Sequence, residues 1–451
     1  MKRTNLLRNI TLGMVLSGFA CSSCTDFDEL NTDPTRMEKV NPGTLLDPIL
    51  YDMGTYNWNR YYDYTFPLMQ CLVSNNGTSG VGWWNMTDSR GDGTWNTYYK
   101  WINNAKEIQR LNAQLASPEP NYEAVSLTLQ SWMYGILADA FGDIPMSEAC
   151  SADQGILAPR FDRQEQVYRQ ILDNLKTANS LFDTESGLVY TSGDMLYSTT
   201  DGEGIKKWQK FCNSLRMRTL TRLLDAEGFN AQAELQEMYD NPATYPVFES
   251  NDDAAMLGIS GVFPEEAPMA RPQDFTSYVN LSEFFIDLLN SWNDPRLPVF
   301  ATQVEQEDGT KTYVGLPSGY LTLPAITASL PNQSMAKAPM DLTLMSYAEV
   351  EFIKAELFQK GILPGGATEA ETAYKKGVQA SVEQWNATLP ANYFDNPQAR
   401  YDGSLERIMN QKFVALYLRL STMVRIQPYG VSGSSRRRRH TNQPQPNASK
   451  V

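Results

Sequence analysis

Residues 134–149 read YGILADAFGDIPMSEA, and residues 159–178 read PRFDRQEQVYRQILDNLKTA. Apolar side chains recur at helical spacing through the first stretch, and the pattern stops at Gly142, where glycine tolerates a positive φ. Pro145 prevents the helix from continuing, and a second helical pattern begins after Asp162. Neighbouring amphipathic helices with small residues at their contact points, such as Gly135 and Ala138, predict helical hairpins of the tetratricopeptide type.

Helical periodicity continues along the chain on both sides of this hairpin. Further helices are predicted at residues 96–115, 281–292, 347–358, 374–385 and 405–417, and around Trp208. Between about residues 241 and 346 the pattern is broken by Pro, Gly, Asp and Ser, which leaves room for one helix and short hairpins. Long irregular stretches on a helical scaffold usually carry function. We therefore predict a mainly α fold with tetratricopeptide-like helix pairs, a loop-rich ligand-binding side and a few short strands.

The composition excludes several classes of function. The 451 residues are 42% hydrophobic and 20% charged, which is typical of a globular protein. The net charge of -14 is unsuited to phosphate backbones, so nucleic acid is not an expected partner. The single histidine, His440, excludes a Ser-His-Asp triad and a His-rich zinc site. No Gly-rich loop leads into Lys-Ser/Thr, so no nucleotide P-loop is present, and we expect neither a metal nor a cofactor.

The only candidate catalytic residues in the sequence are three carboxylates. Asp139, Asp143 and Glu148 are candidates for glycoside hydrolysis, which needs two carboxyl groups beside the scissile bond. Asp143, however, lies in a Gly-Asp-Ile-Pro turn, where stabilising the turn is a sufficient explanation for it. A surface glycoside hydrolase is therefore the less favoured alternative, and we expect a protein that is not an enzyme.

The first residues have the pattern of a lipoprotein leader. Lys2 and Arg3 precede a short apolar run, residues 10–20, which is too short to span a bilayer. The run ends beside Cys21 and Cys24, and a cysteine after such a segment can be acylated and become the new N-terminus. Cys24 is favoured because acidic and polar residues follow it directly, and Cys21 is the alternative.

These patterns divide the chain into four parts. Residues 1–23 are predicted to be a signal peptide, 24–48 a tether, 49–417 a single folded domain and 418–451 a tail. An ordinary cleaved signal with incidental cysteines is the alternative reading of the leader.

One Gly-rich stretch carries a candidate ligand site. Sugars present an apolar C–H face and a rim of hydroxyls, so their sites combine flat aromatic rings with a few amides. Adjacent tryptophans on a helix point in different directions, so at least one of Trp83 and Trp84 is expected to be exposed. Tyr320, beside Gly319, is a further loop aromatic. The predicted ligand-binding residues are Gln70, Asn75, Asn76, Trp83, Trp84 and Tyr320.

Several segments taken in order carry a family resemblance. They are the two stretches quoted first, residues 207–222 (KWQKFCNSLRMRTLTR), Asp294-Pro295-Arg296, residues 345–356 (MSYAEVEFIKAE) and residues 405–416 (LERIMNQKFVAL). Each segment alone is an ordinary pattern. Together, behind a lipoprotein leader followed by CTDFDELNTDP, they resemble the SusD/RagB family of nutrient-binding outer-membrane lipoproteins.

The resemblance implies a SusD-like helical scaffold with tetratricopeptide-like helix pairs and an irregular ligand-binding side. It implies a lipid anchor in the outer membrane, with the protein facing the extracellular side. The implied partner is a SusC-like TonB-dependent transporter, for which this protein would be the hinged lid. The usual ligands of the family are glycans or oligosaccharides, and peptide binding, which some relatives show, is the alternative.

The chain departs from this pattern after Tyr417. The family normally continues with an aromatic helix containing Glu and Arg and an RTGxP-like turn, whereas this chain reads LRLSTMVRIQPYGVSGSSRRRRH. Permissible codons for residues 418–433, shifted forward by one base, can encode YGYQQWFEYNRTGFP. We therefore hypothesise that residues 418–451 are a frameshifted or disordered tail, with a genuine divergent basic tail as the alternative. Resequencing the gene decides between them, because an intact frame that encodes the present residues contradicts the frameshift.

Overall fold

The computed structural model describes residues 40–190 and 193–418, which form a mainly α-helical body and confirm the predicted fold class. The predicted signal peptide (1–23), Cys21 and Cys24, the first part of the tether and the tail beyond Leu418 lie outside the described residues. Within the two described ranges, no helix is both long and apolar enough to cross a lipid bilayer.

Most of the helices lie where the sequence predicts them, and the helix at Leu46–Arg60 is an addition. In the N-terminal half they are α1 (Leu46–Arg60), α2 (Asp92–Ala113), α3 (Pro120–Phe141), α4 (Gln164–Leu181), α5 (Gly202–Arg222) and α6 (Ala231–Asp240). In the C-terminal half they are α7 (Glu283–Trp292), α8 (Tyr347–Gln359), α9 (Gly366–Gln384) and α10 (Leu405–Ala415). A π-helical turn, Tyr61–Thr65, and a short α-helical turn, Phe66–Leu68, continue α1, and one more α-helical turn is Leu297–Phe300.

The ends of the helices follow from local side-chain chemistry. Four of them begin at a residue whose side-chain oxygen accepts a backbone N–H of the first turn: Asp201 before α5, Ser282 before α7, Ser346 before α8 and Ser404 before α10. At the other end of α3, Gly142 has a φ of 78°, a conformation that favours glycine. The chain therefore leaves α3 at this glycine, where the first quoted stretch predicts the end of the helix, and α4 begins later, at Gln164.

Neighbouring helices pack as pairs, as predicted. α2 packs on α3, α3 on α4 and α4 on α5, and at the other end α8 packs on α9 and on α10. Trp101, Trp132 and Trp208 are buried in the resulting core. Gly377 allows α9 to lie close to α8, because a Cβ at this position would be 3.0 Å from the ring of Phe352.

The folded body begins before the expected boundary at residue 49. A 3-10 turn, Pro42–Leu45, leads directly into α1, and Pro42 and Gly43 are buried. The side-chain oxygen of Asn41 accepts the Gly43 N–H and the Tyr122 hydroxyl, so it attaches this turn to α3. The tether predicted for residues 24–48 therefore does not extend to residue 48.

α6 was not predicted from the sequence. It has only ten residues, and just three of its side chains, Ala231, Leu235 and Met238, are buried. Such a short apolar stripe gives a weak periodic signal, and packing against α5 accounts for the helix.

Short antiparallel strand pairs lie in the loop-rich middle, as predicted, and one of them recruits a strand from the N-terminal part of the chain. The strands of the described residues are β1 (Leu72–Ser74), β2 (Ala255–Ile259), β3 (Val279–Leu281), β4 (Val304–Glu305), β5 (Lys311–Thr312) and β6 (Met340–Met345). β1 pairs with β3, β2 with β6 and β4 with β5. Two-stranded pairs of this length are not stable alone, so they depend on the helical scaffold.

A buried ion pair attaches this middle region to the C-terminal helices. The Arg296 guanidinium donates to Asp294 at 2.8 and 2.6 Å, and both side chains are fully buried. The same guanidinium donates to Ser381 Oγ in α9 and to Gln411 Oε1 in α10, each at 2.8 Å. Tyr393 Oη donates at 2.8 Å to Asp294 Oδ2, the oxygen that also accepts Arg296 Nη2. Burial alone would raise the pKa of Asp294, but the charge and hydrogen bonds of Arg296 hold that pKa below its usual value.

Replacing Asp294 by Asn should lower the free energy of unfolding by about 3–5 kcal/mol. The reason is that Arg296 would keep a buried charge with no counter-charge. Urea denaturation followed by circular dichroism measures the change. The matched control is Asp274→Asn, because Asp274 pairs with Arg271 at an exposed position and its loss should cost less than about 1 kcal/mol. Equal effects of the two substitutions would contradict the role given to the buried pair.

Candidate functional site

The predicted site residues lie on one irregular surface that β1 and β3 support. β1 pairs with β3 in antiparallel register, Leu72 opposite Leu281 and Ser74 opposite Val279. Val73 packs with Leu316 and Ala328 in a small apolar cluster that is separate from the main core, and Tyr320 packs against it. This cluster brings Tyr320, which is distant in sequence, close to β1.

Trp83 and Tyr320 form an edge-to-face ring pair. Their ring centroids are 5.4 Å apart and their planes are at 89°, the geometry that aromatic quadrupoles favour. The Tyr320 hydroxyl donates to the Ser74 carbonyl at the end of β1. Burial raises the pKa of Tyr320, so its hydroxyl stays protonated and keeps this hydrogen bond at neutral pH. Trp83 is half-buried by these contacts.

Trp84 is exposed, with 67% of its surface accessible to solvent. A 3-10 turn, Val81–Trp83, ends at Trp84, which has a positive φ of 59°. A left-handed conformation is uncommon for a bulky residue and is maintained only when its surroundings require it. The two adjacent tryptophans therefore differ in burial, one packed against Tyr320 and the other exposed.

The three predicted amides have different roles in the structure. The Gln70 side-chain nitrogen donates to the carbonyls of Pro67 and Gly82, at 2.8 and 3.0 Å, so it fixes the loop that carries the tryptophans. The Asn75 side-chain nitrogen donates to Asn280 Oδ1 at 2.7 Å, across the β1–β3 pair. Asn76 is exposed beside them. Gln70 thus positions the loop, and Asn75 and Asn76 lie at the surface.

The structure adds Tyr278, which the sequence analysis did not select. Its side chain is 68% exposed, its φ is 62°, and its carbonyl accepts the Asn75 N–H at 2.9 Å. Leu321, which follows Tyr320 in the chain, is 92% exposed. No local pattern indicates Tyr278, because its position depends on the pairing of β3 with the distant β1.

We call Trp83, Trp84, Tyr278 and Tyr320, with Asn75 and Asn76, the aromatic platform. All six of these side chains are uncharged, although the chain as a whole carries a net charge of -14. Aromatic rings and amides without a formal charge are suited to neutral ligands that have apolar faces and hydroxyl groups. The assignment of these residues to ligand binding remains a prediction.

The carboxylates considered for catalysis are all held by other groups of the protein. Asp139 accepts hydrogen bonds from Tyr168 and from Arg222. Asp143 accepts the Gln164 N–H at the start of α4, which is the turn-stabilising role suggested by its sequence context. Glu148 accepts the Arg160 side chain at 2.7 Å.

The three cysteines among the described residues, Cys71, Cys150 and Cys212, are free thiols. Cys71 and Cys212 are buried, and burial raises the pKa of Cys212 to about 12, so its thiol is neutral at physiological pH. None of the three belongs to the aromatic platform.

Replacing Tyr320 by Phe should loosen the loop between β1 and Trp84. The substitution removes the hydrogen bond to the Ser74 carbonyl, which contributes about 1 kcal/mol. Hydrogen–deuterium exchange should become faster in peptides that cover residues 72–85 and stay unchanged in peptides from α8. Tyr278→Phe is the matched control, since it removes a hydroxyl from an exposed ring of the same platform. Unchanged exchange in Tyr320→Phe would contradict the supporting role.

The chain is similar to known proteins over most of its length. It matches the SusD-like family, described as starch-binding and associating with the outer membrane, over residues 34–421. A solved chitin-binding protein is 21% identical to it, with a TM-score of 0.70 and 84% of each chain covered. A SusD homolog from Bacteroides fragilis is 19% identical, with a TM-score of 0.69, and the match covers 85% of this chain and 86% of that one.

A second SusD homolog from Bacteroides fragilis is 22% identical, with a TM-score of 0.68 and coverage of 84% and 85%. None of the functionally curated proteins matches this chain in sequence. The similar structures establish the fold, and the family match extends from before α1 to beyond α10. The chain therefore belongs to the SusD-like family of starch-binding proteins associated with the outer membrane.

Proposed function

We propose that this protein captures oligosaccharides on the aromatic platform and delivers them to a SusC-like TonB-dependent transporter, without chemical conversion. The observation that carries the proposal is the exposed Trp84 ring, which directly follows Trp83, whose own ring packs edge to face on Tyr320. Several rings of this kind on one rigid surface would bind successive faces of a sugar chain. Amides at their side would accept and donate hydrogen bonds to the hydroxyl rim.

The absence of charge from the platform favours a neutral glycan. The family description names starch, and a similar solved protein is a chitin-binding protein. Both polymers consist of uncharged hexose units, so maltooligosaccharides and chitooligosaccharides are the first ligands to test. Open platforms of this kind bury little of the ligand, and we expect dissociation constants between about 1 µM and 1 mM.

Trp84→Ala should weaken oligosaccharide binding about tenfold or more, which corresponds to about 1.4 kcal/mol. The ring is exposed, so its removal should leave the melting temperature unchanged. Trp83→Ala should weaken binding similarly and should also loosen Tyr320, its ring partner. Isothermal titration calorimetry with a panel of maltooligosaccharides and chitooligosaccharides measures both effects.

Leu157→Ala provides the control, because Leu157 is a highly exposed apolar residue outside the platform. Unchanged affinity in Trp84→Ala, with the fold intact, would contradict the proposed site. Binding of a peptide pool in place of glycans would favour the peptide-binding alternative. Steady release of reducing ends from any glycan in the panel would contradict a purely binding function.

A lipid anchor would hold the platform at the cell surface. Cys24 follows the predicted signal peptide and precedes a polar tether, and Cys21 is the alternative acceptor. Acyl chains contribute about 0.8 kcal/mol for each buried CH2, and a multiply acylated cysteine would give stable attachment. The folded body would then face the extracellular side, where a transporter in the same membrane can receive the ligand.

Cys24→Ser should shift the protein from the membrane fraction to the soluble fraction of the producing cells. Loss of the acylated thiol removes the only attachment that we propose. Fractionation followed by immunoblotting, together with mass spectrometry of the N-terminal peptide, measures the change. Cys21→Ser is the matched control and should stay with the membrane. The reverse result would assign the anchor to Cys21, and retention of both variants would contradict lipid attachment.

A further inference from the structure

The loop that follows β1 contains the only Asn-Gly pair of the sequence, Asn76-Gly77. β1 ends at Ser74, and residues 76–80 are all exposed and belong to no helix or strand. An asparagine side chain in such a loop can be attacked by the backbone nitrogen of the residue that follows it. Glycine hinders this attack least, because it has no Cβ beside the attacking nitrogen. The proposed function makes no use of this reactivity.

Within the described part of the chain, both groups that would react are free of hydrogen bonds. No residue in 40–190 or 193–418 accepts the Gly77 N–H, and none bonds to the side-chain amide of Asn76. The backbone N–H of Asn76 donates to Ser74 Oγ at 3.2 Å, which leaves the side chain itself unrestrained. Gly77 has a φ of 97°, and a Cβ added to it would have no atom within 4 Å. The side chain of Asn76 can therefore rotate toward the Gly77 amide without obstruction.

The neighbouring Asn75 lacks this freedom. Its side-chain nitrogen donates to Asn280 Oδ1 at 2.7 Å, and its backbone N–H donates to the Tyr278 carbonyl at 2.9 Å. The nitrogen that would attack it belongs to Asn76, and Ser74 Oγ accepts the N–H of that nitrogen. Both reacting groups of Asn75 are thus held, so the reactivity of the pair is confined to Asn76.

The three Asn-Ser pairs of the sequence provide an internal comparison, because serine is also a small residue. They are Asn179-Ser180 in α4, Asn213-Ser214 in α5 and Asn290-Ser291 in α7. In an α-helix the N–H of such a serine donates to the carbonyl four residues earlier, and the rigid backbone prevents ring closure. These three asparagines should therefore react far more slowly than Asn76.

We infer that Asn76 is a site of spontaneous deamidation. The Gly77 nitrogen, after losing its proton to hydroxide, attacks Asn76 Cγ, so that a bond forms between these two atoms. The bond from Cγ to Nδ2 breaks, and the leaving nitrogen takes up a proton from water and departs as ammonia. Water then opens the cyclic succinimide at either carbonyl, which gives aspartate or isoaspartate. No atom is oxidised or reduced, and one water is consumed for each ammonia released.

Either product places a negative charge on a surface that has none. The six side chains of the aromatic platform are uncharged, whereas a carboxyl group at residue 76 would be ionised at neutral pH. The N–H donors of the amide are lost, because a carboxylate only accepts hydrogen bonds. Isoaspartate also adds one carbon to the main chain beside Gly77, whose carbonyl lies 3.5 Å from the Tyr320 hydroxyl. Deamidation would therefore change both the charge and the shape of the loop after β1.

The test is incubation of the purified full chain in neutral and in mildly alkaline buffer made with 18O-labelled water, followed by peptide mapping with mass spectrometry. Asn76 should gain one labelled oxygen, as a mixture of aspartate and isoaspartate. Conversion should be faster in the alkaline buffer, because the attacking nitrogen must lose its proton. It should also be at least about tenfold faster than conversion of Asn290, which precedes Ser291 inside α7.

Gly77→Ala should slow the conversion about tenfold or more, because its methyl group shields the attacking nitrogen. Gly80→Ala is the matched control. Gly80 lies in the same loop, has a φ of 93° and likewise has no atom within 4 Å of an added Cβ, but it follows Ser79 rather than an asparagine. It should introduce similar strain and leave the conversion rate unchanged. Circular dichroism establishes that both variants are folded.

Three results would overturn the inference. They are conversion of Asn76 no faster than that of Asn290, equal conversion rates in the Gly77→Ala and Gly80→Ala proteins, and formation of aspartate without isoaspartate. The last would indicate direct hydrolysis of the side chain instead of ring closure by Gly77. The measured quantity is the mass of a peptide and needs no ligand. Failure of this inference and failure of the glycan-binding proposal are therefore distinguishable.

Discussion

The buried Asp294–Arg296 pair is the interaction on which the position of the ligand-binding side depends. Charged groups are costly to bury, and a pair is retained in a core only when its hydrogen bonds are complete. Here Arg296 and Asp294 reach Ser381, Tyr393 and Gln411, so one pair joins the loop-rich middle to α9 and α10. The middle region has only short strands of its own and could not keep a fixed orientation without such a connection.

A continuous run of structure links this pair to the aromatic platform. β3 is followed at once by Ser282, which caps α7, and α7 ends just before Asp294. Ser282 also bonds to the chain before β1, since its N–H donates to the Cys71 carbonyl at 2.9 Å and its hydroxyl donates to the Gln70 carbonyl. The position of the helices therefore fixes β3, β3 fixes β1, and β1 fixes the loop that carries the tryptophans. Preorganisation of this kind reduces the entropy that is lost when a flexible sugar chain binds.

Most of the helical scaffold could be predicted from the sequence, because its helices have long apolar stripes and clear end signals. The pair of α3 and α4, in which Gly142 and Pro145 mark the end of α3, is an example. The start of the body before residue 49 and the short α6 could not be predicted, because long-range packing decides both. Asp294 and Arg296 were noted only for their resemblance to the family. Charged residues are usually exposed, so nothing in the local sequence indicated that both are buried.

Only part of the candidate site could be predicted, because long-range pairing brings some of its residues together. Adjacent tryptophans in a Gly-rich loop are a local signal, whereas Tyr278 joins them only through the β1–β3 pairing.

The central claim is that the exposed aromatic rings beside β1 are the surface that contacts the nutrient. The most direct measurement is a titration of protein with 15N-labelled tryptophan against maltooligosaccharides and chitooligosaccharides, with the indole N–H signals assigned by single Trp→Phe substitutions. The indole N–H chemical shifts of Trp83 and Trp84 should change when ligand is added, while those of the buried Trp101 and Trp208 should stay unchanged. Saturable binding with no shift at Trp83 or Trp84 would contradict the central claim.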